Sequence, residues 1–122
     1  MEIQEAYVSY KTSKLLKNKG FDEPCHHYYS NRSLKFDPSL AGKNSYQSED
    51  VYSAPTIQLA MRWLRERYGI IIEIYHTPEK TLNEGWFYSV QVYKVNKTSL
   101  ELFHSYEDAC EDAIKYCLKN LI

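Results

Sequence analysis

Residues 55–76 read PTIQLAMRWLRERYGIIIEIYH, and the change of period inside this stretch decides the fold. Up to Tyr68 the apolar side chains Ile57, Ala60, Met61, Leu64 and Tyr68 recur at i, i+3, i+4, i+7 and i+11, the stripe that one face of a helix buries. Trp63 borders that stripe. Pro55 suits a first helical turn and Gly69 suits the left-handed position that ends one, so a helix is predicted over 55–68. Beyond the glycine the period falls to two: Ile70, Ile72 and Ile74 point one way, Ile71, Glu73 and Tyr75 the other. A strand over 70–76 follows. Both of its faces are largely apolar, so it is expected to be central in its sheet.

The same logic extends in both directions. After turn-rich residues 77–85 comes a strand over 86–95, with Tyr88, Val90 and Val92 on one face and Ser89 and Gln91 on the other, flanked by Phe87 and Tyr93. Asn96 to Ser99 has turn chemistry, and a third short strand is expected over 100–103. The chain closes with a helix from Tyr106 to near Leu121. Ser105 and Asp108 approximate a capping box, and Glu107, Asp108, Glu111 and Asp112 set negative charge at the positive end of its dipole. Upstream, a helix is predicted over 9–18, capped by Ser9 and ended by Gly20, with Phe21 folding back on Leu16. Strands over 25–30 and 34–36 form a hairpin through Ser30 to Ser33, and residues 37–50 are loop. The order defines an α+β fold, a mainly antiparallel sheet of three to five strands with two or three helices packed on one face.

A chain of 122 residues is expected to form a single domain, 1–122. Area scaling gives roughly 6,800 Å² folded against about 21,000 Å² unfolded, enough burial to fold without staples. No apolar run reaches the length of a membrane span, and the acidic N-terminus lacks the basic start of a signal peptide, so we expect a cytoplasmic protein. Three cysteines, an odd number, are read as free thiols. Cys110 and Cys117 lie about 10.5 Å apart along a helix, too far to pair. Twelve tyrosines against four phenylalanines are the unusual feature, since Tyr suits half-buried faces and interfaces.

Several chemistries can be weighed residue by residue. The order helix, three strands, helix matches the double-stranded-RNA-binding domain, but such domains grip phosphates with a basic start to the last helix. Here four carboxylates, Glu107, Asp108, Glu111 and Asp112, would repel a phosphate backbone, and a net charge of −1 gives no duplex footprint. Lys11, Lys14 and Lys17 step along the first helix, and Arg62, Arg65 and Arg67 crowd the second. They read as solvated faces with a minor option of anion contact. Cys25, His26 and His27 cluster metal-ligand types, and His76 or His104 could add a third ligand, yet no spaced pair of Cys or His occurs. A thiol- or metal-dependent hydrolase around these three residues is kept as an alternative, but no metal is expected. The four glycines are isolated and form no phosphate loop, so no cofactor and no catalytic residue are expected.

Three strings together carry a resemblance: Lys19 to Cys25 (KGFDEPC), Ala54-Pro55-Thr56 followed by Ala60 to Glu66 (AMRWLRE), and Ser105 to Ala109 (SYEDA). With these the chain resembles short uncharacterised proteins encoded by phages, prophages and mobile elements of gut anaerobic bacteria. The resemblance implies a bacterial cytoplasm and an accessory role, and it implies no catalytic residues.

We therefore expect a non-enzymatic protein-binding module whose partner is another protein or a second copy of itself. The alternative is a weak single-stranded nucleic-acid binder that stacks bases on sheet aromatics. The candidate binding residues are Tyr75, Phe87 and Tyr93, expected together among Glu73, Ser89 and Gln91 on the face opposite the helices. The competing view is that the hairpin of residues 25–36, or the loop after it, covers these rings as a second small core.

Overall fold

Ser9 opens the first element of the structure, a computed structural model that describes residues 4–39, 49–78 and 84–122. The Ser9 hydroxyl accepts from the Thr12 N–H at 3.2 Å, and α1 runs over Tyr10–Asn18. Its last turn closes as the sequence requires. Gly20 takes φ +92°, the Phe21 N–H donates to the Leu16 carbonyl at 3.0 Å, and the Gly20 N–H donates to the Lys17 carbonyl at 3.2 Å. These paired bonds are a Schellman ending, and Leu16 and Phe21 are both fully buried.

The chain divides into two compact units, Met1–Gln58 and Leu59–Ile122. In the first unit, β1 (His27–Ser30) and β2 (Ser33–Phe36) form the expected hairpin. Its two-residue turn, Asn31 and Arg32, has φ +52° and +65°, the left-handed pair that matches strand twist. A two-residue strand, β3 (Tyr52–Ser53), adds antiparallel to the other side of β1, giving the order β2-β1-β3. Helix α1 packs on β3, and the Tyr29 hydroxyl donates to the Val8 carbonyl at 2.8 Å. The expected loop 37–50 lies outside the described residues over 40–48.

The second unit holds most of α2 (Ile57–Tyr68), followed by β4 (Ile70–His76), β5 (Trp86–Val92), β6 (Val95–Thr98) and α3 (Tyr106–Asn120). Helix α2 buries Ile57, Ala60, Met61, Trp63 and Leu64, the expected stripe with its bordering Trp, and Gly69 ends it at φ +68°. Strands β4, β5 and β6 form an antiparallel sheet in that order. The register pairs Ile70 with Val92, Ile72 with Val90 and Ile74 with Tyr88, so these six side chains share one face. Helix α3 packs on β4 and β5 and buries Ala109, Cys110, Ala113, Ile114, Cys117 and Leu118. Ser105 caps it, accepting from the Asp108 N–H at 3.0 Å.

The α+β class is as expected, with the six strands divided into two three-stranded sheets. Two details differ. Strand β4 is an edge strand, because β5 occupies the centre and is paired on both sides. The second strand stops at Val92, not Val95, because Tyr93 takes φ +54° and turns the chain into β6. The expected strand over 100–103 survives only as a bridge between Trp86 and Phe103.

Candidate functional site

The face of the second sheet away from α3 follows directly from the register. Ile71 stands opposite Gln91, Glu73 opposite Ser89 and Tyr75 opposite Phe87, with Asn96 and Thr98 completing two of these rows from β6. Ring centroids of Tyr75 and Phe87 are 5.2 Å apart at an interplanar angle of 23°, a stacked cross-strand pair. Tyr75 remains 41% exposed and Ile71 43%, so apolar surface faces solvent here among short polar side chains. The Tyr75 hydroxyl donates to the Glu73 carboxylate, and this bond to the neutral phenol raises its pKa above the ordinary 10.0.

The third expected residue, Tyr93, is not part of this row. It sits in the β5–β6 turn, 87% exposed, with the Lys94 ammonium over its ring. At a strand rise of about 3.3 Å per residue, the six steps from Phe87 place it roughly 20 Å away along the sheet. Tyr75 and Phe87 therefore form one patch, and Tyr93 lies outside it.

Cys25, His26 and His27 meet three different environments. The Cys25 thiol donates to the Glu23 carbonyl at 3.6 Å, and His26 Nδ1 lies 3.0 Å from the Asp37 carbonyl oxygen. The His27 ring packs at 4.0 Å from that of Tyr7 and 5.1 Å from that of Phe36. Among the described residues no group of three or more His, Cys, Asp or Glu is placed to hold a metal. Burial pushes the Cys25 thiol from the ordinary 9.0 up to about 11, with Glu23 adding to the shift. A thiol that is protonated at neutral pH is a weak nucleophile.

Cys110 and Cys117 are buried, free and shifted the same way, to about 11 and about 12, with desolvation the first cause in each. This fixes an alkaline trend. In the unfolded chain these thiols lose protons near their ordinary 9.0, whereas the folded chain holds them, so their stabilising contribution is complete below pH 9 and is lost as pH rises through 11 to 12. Urea midpoints are expected to fall across that window, and Cys117→Ala should show a shallower fall. Equal slopes in the two proteins would contradict the assignment.

Two other features arise that the sequence did not single out. A cleft of about 200 Å³ in the second unit is lined by Tyr88, Lys97, Ser99, Glu101, Asp112 and Tyr116, among others. Its groups are already engaged: Tyr88 donates to Asp112 at 2.9 Å, and the Lys97 ammonium lies 4.5 Å from the Tyr116 ring centroid. In the first unit, Tyr10 meets Tyr29 and Tyr52 edge-on at 5.8 and 5.7 Å. Lys14 and Arg32 lie over the Tyr10 ring and Lys17 over that of Tyr52. Lysines at 14 and 17 were visible as one helix face, but their meeting with Arg32 and Tyr52 depends on tertiary structure.

The chain matches no known family model, no curated protein and no solved structure. No helix among the described residues is long and apolar enough to cross a membrane.

Proposed function

We propose that this protein is a non-enzymatic protein-binding module and that the stacked Tyr75–Phe87 pair is the centre of its binding face. The ring pair, with Tyr75 exposed and Phe87 half-buried, is bordered by Glu73 and Ser89 with Ile71 and Gln91 one row further on, and it carries this reading. Interface centres favour aromatic side chains within a polar rim, whereas a merely solvated strand face carries more Thr, Lys and Glu. The raised pKa values of the three thiols weigh against a thiol nucleophile. The resemblance of the three sequence strings supports an accessory protein of a phage or mobile element, working in the cytoplasm of a bacterial host.

Because Tyr75 is 41% exposed, Tyr75→Ser should change stability by less than about 1 kcal/mol. It should nevertheless abolish self-association or capture of another protein. Tyr93→Ser, altered at the distant turn, should leave capture intact. Undiminished capture by Tyr75→Ser, or its unfolding, would refute the reading.

A second reading, single-stranded nucleic-acid binding, draws on the cations gathered over Tyr10 and Tyr52. Its mark would be oligonucleotide binding that weakens with salt and is lost in Lys14→Glu/Arg32→Glu. Salt-independent or absent binding would remove it.

A further inference from the structure

Among the described residues no strand pairs with the outer edge of β4, and hydrogen bonding on the far side of the sheet reveals which groups that edge presents. The Trp86 N–H donates to the Phe103 carbonyl, the Phe103 N–H donates back, and the Ser99 N–H donates to the Tyr88 carbonyl. Even-numbered residues of β5 therefore turn their backbone groups away from β4, and the odd-numbered ones turn theirs toward it. By the antiparallel alternation, Ile71, Glu73 and Tyr75 bond to β5, a pattern that the Thr77 N–H to Gly85 carbonyl bond continues. Ile70, Ile72, Ile74 and His76 thus direct their N–H and C=O groups outward. Among the described residues, no backbone hydrogen bond outside the ladders engages these four.

The edge also lacks the usual protection. Strand β2 has four residues and includes Lys35, β3 has two, and β6 has four and includes Lys97. In contrast, β4 has seven residues with no Pro, no Lys and no Arg, and its one carboxylate is Glu73. Ile72 and Ile74 stay partly exposed on the very face that α3 covers, as expected at a rim left for more strand. A long apolar edge of this kind is a template for strand addition.

Building on the protein-binding reading above, we propose that the partner is a second copy of this chain, paired antiparallel through the outer edge of β4 to form a continuous six-stranded sheet. Charge and hydrogen bonding select the register. A two-fold axis at Glu73 would set the two Glu73 carboxylates directly opposite each other, which is destabilising. An axis at Ile72 would place Glu73 opposite Ile71, with an apolar side chain facing it across the seam. An axis at Ile74 pairs Ile74 with itself, Ile72 with His76, and Glu73 with Tyr75. Within one strand the Tyr75 hydroxyl donates its single proton to Glu73; in this register it can donate instead to the Glu73 carboxylate of the second copy, an exchange made twice across the axis. Glu73 and Tyr75 would meet as a non-hydrogen-bonded pair, the closer of the two antiparallel spacings.

Sedimentation equilibrium of the full chain should show a monomer–dimer equilibrium. Amide hydrogen exchange should slow at least about tenfold with rising concentration at Ile72, Ile74 and His76, while Ile71, Glu73 and Tyr75 are protected at every concentration. Tyr75→Glu should dissociate the dimer by facing Glu73 with a like charge, and adding Glu73→Lys should restore it. A chain that stays monomeric at submillimolar concentration, or a dimer whose even-numbered β4 amides exchange freely, overturns the proposal. A double variant that fails to recover overturns the register. A monomer that still captures a host protein through Tyr75 leaves the binding reading standing, and loss of both refutes both.

Discussion

Truncating Phe21 to Ala is expected to cost about 3 to 5 kcal/mol, a large share of the roughly 5 to 15 kcal/mol that holds a domain folded. The reason begins with Gly20. Its φ of +92° turns the chain back across the end of α1, and the bond from the Phe21 N–H to the Leu16 carbonyl locks the residue in place. The ring that this backbone placement directs inward has no exposed surface. Truncation therefore removes the transfer free energy of a whole aromatic ring and leaves a cavity in the buried interior. Urea denaturation of the first-unit signal should show the shift. A loss below about 1 kcal/mol would mean that the site collapses freely and that Phe21 packs no core.

Elements whose signals are local could be read from the sequence. The i, i+3, i+4 stripe of α2, the Ser9 and Ser105 caps, the Gly20 ending and the two-fold alternation of residues 70–76 each depend on residues a few positions apart. The alternation even placed Ile70, Ile72, Ile74, Tyr88, Val90 and Val92 on one face, as the register has it. Period identifies faces, however, and not neighbours, so nothing in IIIEIYH distinguishes a central strand from an edge strand. That distinction became visible only when β5 was seen to be paired on both sides. The turn at Tyr93 was hidden for a different reason. An aromatic residue seldom takes positive φ, whereas Asn96 to Ser99 has the composition of a turn, so the strand period was carried three residues too far. The same error put Tyr93 on the Tyr75–Phe87 face. Strand β3, at two residues, is too short for any period to register.

Leu64→Ala is the corresponding test in the second unit, with an expected cost of about 2 to 5 kcal/mol. Leu64 occupies the i+7 position of the stripe that starts at Ile57, and Ala60, Met61 and Trp63 around it are buried too. Leu64 itself is wholly inaccessible to solvent. Trp63 meets Tyr68 edge-on at 5.3 Å, which fixes the large ring beside it and limits how far neighbours can move into the space left by truncation. A cost in the upper half of the range is therefore expected, because the price of a cavity depends on how little its surroundings relax. Arg65→Ala, one position along on the exposed face, supplies the control. It should change stability by no more than about 0.5 kcal/mol, since neither packing nor a cap is lost. Equal effects from the two substitutions would show that the buried face of α2 has been misplaced, and a Leu64→Ala cost below about 1 kcal/mol would show the same.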